Sequence, residues 1–118
     1  MRPRSAKAKG KRLQNNIRDI LLETFKEQLE PDDIKSTTMG ESGEDIQLSP
    51  SARKIFPFAI ECKNQEALNI WKSLEQTETN CEGLIPLLIF KRNKSKIYAT
   101  LEISDFLDLL DGNKTKTT

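Results

Sequence analysis

The chain has 118 residues, 31% charged and 36% apolar, which suits one soluble globular domain with a modest core. It contains no histidine, so Ser-His-Asp and Cys-His catalysis and every histidine-containing metal site are excluded. No apolar run reaches the roughly 18–20 residues of a membrane span, and the basic start of the sequence lacks the apolar segment of a secretory signal, so no membrane partner is expected.

The net charge of +1 conceals an asymmetry. Residues 1–12 carry Arg2, Arg4, Lys7, Lys9, Lys11 and Arg12 and no acid, against 13 basic and 18 acidic residues in the remainder. A basic arm on a mildly acidic body points to a polyanion contacted through its phosphates, although a solubilising tail has the same composition. Residues 1–10 are accordingly expected to be a basic flexible arm, 11–111 a single domain and 112–118 a disordered tail. Cys62 and Cys81 make no disulfide framework, which fits a reducing, cytoplasmic compartment.

Leu13, Ile17, Ile20, Leu21 and Phe25 recur at helical spacing and predict an amphipathic helix over roughly 11–29, ended by Pro31. Residues 33–38 fit a short edge strand around Ile34. Met39-Gly40-Glu41-Ser42-Gly43 reads as a loop whose glycines permit sharp turns. Residues 45–48 alternate polar and apolar, as a strand does. Ser49-Pro50 is a cap and first-turn pair, predicting one helical turn over 51–56. A second strand, 58–63, places Phe58, Ile60 and Cys62 on its apolar face and Glu61 with Lys63 on the other.

A second long helix is predicted over roughly 65–80, with Leu68, Trp71 and Leu74 facing the core. Gly83 then breaks the chain before a continuous apolar run, 84–90, the pattern of a central strand covered on both sides. Residues 91–95 form a polar turn, 96–102 another strand, and Ser104 caps a short helix over 105–110. The fold class is α/β, with a mixed central sheet flanked by helices and a right-handed crossover into the central strand.

Chemistry concentrates in Gly43-Glu44-Asp45 and Glu61-Cys62-Lys63. A Glu-X-Lys on a strand is ordinarily a solvated ion pair, and an Asp after glycine ordinarily a turn residue. If the two strands form an antiparallel pair, however, Asp45 and Glu61 converge at one sheet edge beside Lys63. Two carboxylates and an ammonium can hold a hard divalent cation and orient a water for attack on a phosphodiester.

These residues resemble the PD-(D/E)XK nuclease signature. The wider pattern adds Lys9-Gly10-Lys11-Arg12-Leu13-Gln14, Met39 to Ile46, Phe56-Pro57-Phe58, Asn64 and Leu68-Asn69-Ile70-Trp71. Over about residues 9–110 it is similar to small phage-encoded Holliday junction resolvase-like endonucleases. The resemblance implies a restriction-endonuclease-like fold, with Asp45, Glu61 and the Cys62 carbonyl oxygen ligating Mg²⁺ or Mn²⁺. It implies that Lys63 positions or helps deprotonate the attacking water, and it points to Gln76 beside the site. Glu44 ranks below Asp45 because strand alternation turns it away. Archaeal junction resolvases carry a glutamate on the first helix where this chain has Gln14, and Glu23 lies too far along to replace it. Asn64 is a candidate cap for the second helix.

DNA contacts are expected from Arg4, Lys7, Lys9, Lys11 and Arg12, from Ser42 in the Gly-rich loop, and from Lys91, Arg92 and Lys94 in the later basic turn. Sparse aromatic interleaving argues against single-strand stacking. The expected function is Mg²⁺-dependent endonucleolytic cleavage of branched DNA by a homodimer, since symmetric cutting needs two sites. The bacterial host cytoplasm is the matching location. Another structure-specific or nicking nuclease of this fold, a non-catalytic DNA-binding module and a protein-interaction domain remain as alternatives.

Overall fold

The computed structural model describes residues 3–37 and 45–112, the side chains of residues 3–5 excepted. In chain order the elements are α1 (Pro3–Thr24), a 3-10 turn (Pro31–Asp33), β1 (Ile34–Ser36), β2 (Ile46–Leu48), α2 (Pro50–Ile55), β3 (Phe58–Asn64), α3 (Ile70–Thr79), β4 (Ile85–Lys91), β5 (Tyr98–Thr100) and α4 (Ile103–Leu110).

Helix α1 begins well before residue 11, so residues 3–10, expected as an arm, continue the same helix. Its start has a physical basis, because Pro suits a first helical position and Ala6 and Ala8 are strong helix formers. Leu13, Ile17 and Leu21 form its buried stripe, while Ile20 is exposed. Strands β1 and β2 pair antiparallel with Ile34 opposite Leu48. Ile34, Ile46 and Leu48 face the core, and Lys35 and Gln47 face out.

Strand β4 is the centre of the second sheet, parallel to β3 and antiparallel to β5, as the continuous apolar run predicts. Proline is rare in a central strand because it lacks a donor. Pro86 is tolerated because β5 covers β4 only from Leu88 to Phe90. Its nitrogen faces the β5 side, at a level that β5 does not reach. Two faces of the sheet are used. Phe58, Ile60, Cys62, Leu87 and Ile89 join the α1 stripe and the β1–β2 hairpin in the main core, while Glu61 and Leu88 lie on the α3 side.

Three expectations are corrected here. Helix α3 starts at Ile70, not residue 65, and its cap is Asn69, whose Oδ1 accepts from Lys72 N at 3.0 Å. It buries Ser73 and Thr77, whereas Trp71 is 78% exposed. Ser73 and Thr77 donate to the carbonyls of Asn69 and Ser73, both at 2.8 Å, so small hydroxyl residues can enter the interior with their polar atoms satisfied. Helix α4 is capped by Glu102, which accepts from Ser104 N and Asp105 N at 3.0 and 3.2 Å, in place of Ser104.

Candidate active site

Backbone direction along β3 builds the site. In a strand the N–H and C=O of one residue point to the same edge, and successive residues alternate. Ile85 N bonds the Pro57 carbonyl and Gln65 N bonds the Lys91 carbonyl, so the odd-numbered residues of this segment face β4. The even-numbered ones, Ile60 and Cys62, therefore direct their polar groups to the opposite edge.

Asp45 occupies that edge. Its N–H donates to the Ile60 carbonyl at 2.9 Å, and its Oδ2 accepts from Cys62 N at 2.6 Å. The predicted convergence of Asp45 with the Glu61 motif is therefore present, but not through an antiparallel ladder between the two strands. Strand β2 pairs with β1, and only the residue preceding β2 touches β3. By the same alternation, the Cys62 carbonyl lies on the edge that Asp45 occupies.

Asp45, Glu61, Cys62, Lys63, Gln14 and Gln76 all line one cleft of about 360 Å³, with Lys7 and Asn64 also on its wall. Glu61 is 3% exposed and accepts from Asn80 Nδ2 at 3.2 Å. Burial raises the Asp45 pKa above its ordinary value, against the lowering effects of the Cys62 N–H, Lys63, Gln14 and Lys11. The Cys62 thiol is pushed up chiefly by burial and further by the charges of Asp45 and Glu61. A neutral, buried thiol leaves the backbone as the useful part of this residue.

Gln14 is buried. Its Oε1 accepts from Ser36 Oγ at 2.9 Å, and Lys11 Nζ donates to Ser36 Oγ at 3.1 Å and to the Thr37 carbonyl at 2.9 Å. With its oxygen engaged, Gln14 turns its NH₂ end to Asp45, where it favours the ionised carboxylate. Ser36 and Asn80 were not anticipated from sequence. Ser36 had a signal, a polar side chain in register with the core-facing Ile34, whereas a C-terminal Asn such as Asn80 had none.

The basic residues divide. Lys7 and Arg12 are exposed, as are Arg92 and Lys94 in the β4–β5 turn, and Lys91 is half-buried. Lys9 and Lys11 differ from the expectation of surface cations. Lys9 is 6% exposed, with its ammonium 3.7 Å from Glu66 and no hydrogen bond. Lys11 is engaged by Ser36 and Thr37. Ser42 and Glu44 lie outside the described residues, as does the side chain of Arg4. Glu23 is exposed and pairs with Lys26.

Among the described residues no three His, Cys, Asp or Glu side chains gather as a metal cluster. The available donors are two carboxylates and, on the same edge, one carbonyl. This all-oxygen set fits Mg²⁺ or Mn²⁺, since Mg²⁺ commonly uses one or two carboxylates and completes its shell with water and phosphate.

The model of the family described as "Phage putative PDDEXK endonuclease" matches residues 5–118, a span that contains every residue lining the cleft. Neither the curated proteins nor the solved structures contain a match to the chain.

Proposed function

Since the chain belongs to the phage PDDEXK endonuclease family, we propose that its cleft hydrolyses phosphodiester bonds in DNA with a divalent cation, Mg²⁺ or Mn²⁺. The observation that carries this reading is the meeting of Asp45, Glu61 and Lys63 in one cleft, with the Cys62 carbonyl on the free edge of β3. Asp45, Glu61 and the Cys62 carbonyl would hold the cation. When bound, it supplies Lewis-acid polarisation of the phosphate and acidifies an attacking water.

The chain's own residues do the rest. The Cys62 N–H fixes Oδ2 of Asp45, which holds the carboxylate at the cleft wall. Lys63 shares a strand face with Glu61 and offers an ammonium to orient the nucleophile and offset charge that grows on the phosphoryl oxygens. Gln14, oriented by Ser36, favours the ionised form of Asp45 against its burial. Gln76, on the cleft wall, would hydrogen-bond the DNA backbone.

Branched DNA, such as a four-way junction, is the proposed substrate, supported by the sequence resemblance to resolvase-like nucleases. Exposed Lys7, Arg12, Arg92 and Lys94 would read its backbone and shape. A homodimer in the bacterial host cytoplasm completes the reading.

The test is a panel of four-way junction, flap, linear duplex and single-stranded DNA, incubated with Mg²⁺ or Mn²⁺. Wild type should cut the junction fastest. Asp45→Asn, Glu61→Gln and Lys63→Ala should each lose about 10²-fold or more, the scale of removing a charge-stabilising group from a nuclease or protease site. Equal cleavage by wild type and Glu61→Gln would discard the site. Gln14 in place of an acid favours one other reading, a DNA-binding module without catalysis, which would give salt-sensitive binding and no cleavage.

A further inference from the structure

On the α3 side of the second sheet, one row of side chains crosses all three strands. Lys63 on β3 pairs with Phe90 on β4, and Phe90 pairs with Tyr98 on β5. Residues paired across strands share a face, so Lys63 and the two rings project from the same side. Strands lie about 4.8 Å apart, which sets Tyr98 roughly 10 Å from Lys63 along the row. Helix α3 leaves the outer part of the row open. Phe90 is half-buried and Tyr98 is 54% exposed. With Leu68 and Ile70 they line a pocket of about 250 Å³.

We propose that this pocket receives one unstacked base of the DNA strand whose phosphate occupies the cleft. The position of the strand rests on the nuclease reading, but the chemistry of the pocket does not. The first argument is continuity. Gln65 borders both the cleft and the pocket, and the distance from Lys63 to Tyr98 spans no more than about three nucleotide steps of ~3.4 Å. The second is size. At about 250 Å³ the pocket is smaller than the roughly 300–1,000 Å³ of most small-molecule sites, which suits a single planar ring system. Two aromatic rings take one base, whereas a stacked single strand would need a longer series.

The third argument is charge. Lys91 and Arg92 line the pocket, Lys94 and Lys96 are exposed on the same turn, and no acid lies between residues 91 and 96. Glu66, the acid on the pocket wall, is already engaged: it accepts from Asn93 N at 2.6 Å and lies 3.7 Å from the Lys9 ammonium. An apolar peptide would gain nothing from these cations. A nucleotide sets its base on the rings and its phosphates on the lysines and arginine. The walls are also tied in place, because Gln65 N donates to the Lys91 carbonyl at 3.1 Å and Arg92 N to Ser95 Oγ at 3.0 Å. Every base has a π-face, so the pocket should accept any of the four. Extrusion costs least where a base is already unpaired, so DNA with an unpaired base close to the cut is the favoured substrate class.

The test is DNA binding in chelator, comparing a duplex that carries one extrahelical adenine with the same duplex carrying an abasic residue there. Wild type should bind the adenine duplex about tenfold more tightly, the scale of one base stacked on aromatic side chains. Tyr98→Phe should keep that ratio. Tyr98→Ala and Tyr98→Leu should bring it close to one without changing affinity for the abasic duplex. The leucine keeps an apolar partner for Phe90, so the test stays decisive should the alanine variant fold poorly. Arg92→Ala should weaken binding of both duplexes alike. Trp71→Ala, 78% exposed but not on the pocket wall, should leave the ratio unchanged. Equal binding of the two duplexes by wild type would overturn the proposal, as would a preference that survives in Tyr98→Leu. Adding Mn²⁺ to the same duplexes separates the two readings. Cleavage without a base preference removes the pocket and leaves the nuclease; a Tyr98-dependent preference without cleavage removes the catalysis and leaves the pocket.

Discussion

Asp45 is held by opposing forces. Desolvation raises its pKa, while the Cys62 N–H, Lys63, Gln14 and Lys11 favour its charge without overcoming burial. A carboxyl whose folded pKa lies above its unfolded one costs stability once ionised, and the cost disappears as pH falls through the folded pKa. In chelator at neutral pH, Asp45→Asn should therefore melt at a higher temperature than wild type. The difference should shrink as pH falls through the raised pKa and vanish below the ordinary aspartate range. The same variant should lose cleavage, the trade expected where a site is built for function at the expense of stability. Two lysines separate surface from interior. Lys7→Ala should weaken DNA binding and reduce the salt slope by about one with no change in melting. Lys9→Met should keep DNA affinity and lose no stability, since a buried cation without a hydrogen bond is replaceable by an apolar side chain of similar length. Salt-dependent DNA binding and thermal melts of the two variants check both.

At the scale of elements, the hairpin position that delivers Asp45 depends on the joint between the 3-10 turn and α2. Ser49 Oγ caps Ala52 N at 3.1 Å and donates to Asp33 Oδ1 at 2.7 Å, and Asp33 Oδ2 accepts from Glu30 N at 2.7 Å. Ser49→Ala should cost about 1 kcal/mol, the usual loss for a helix cap, measured by chemical denaturation. The Ser49 and Glu30 hydrogen bonds lower the Asp33 pKa, so the contribution of Asp33 is complete above the ordinary aspartate pKa and fades as pH falls through the lowered value. The Ser49 cap was legible in sequence, because Ser49-Pro50 is a local signal, but its bond to Asp33, 16 residues away, was not. The buried face of helix α3 differs from expectation, since apolar size alone would bury Trp71. Ser73 and Thr77 took the buried places by bonding to the backbone of their own helix, and Trp71 was left outside.

For the whole molecule, the place of a central strand was legible where local pattern was enough. The unbroken apolar run marked β4 as central, and alternation put Glu61 and Lys63 on one face. The route by which Asp45 arrives was not legible, since a single residue on a free strand edge leaves no periodic trace. The roles of Lys9 and Lys11 depend on helix α1 extending back to Pro3, which composition alone could not distinguish from a charged arm. What unites these parts is the claim that Asp45, Glu61 and the Cys62 carbonyl hold the cation on which cleavage depends. The most direct measurement is anomalous scattering from crystals grown with Mn²⁺. The account predicts a manganese peak bound by both carboxylates and the Cys62 carbonyl and lost in Glu61→Gln. Manganese bound elsewhere, or absent from the cleft at millimolar concentration, would contradict it.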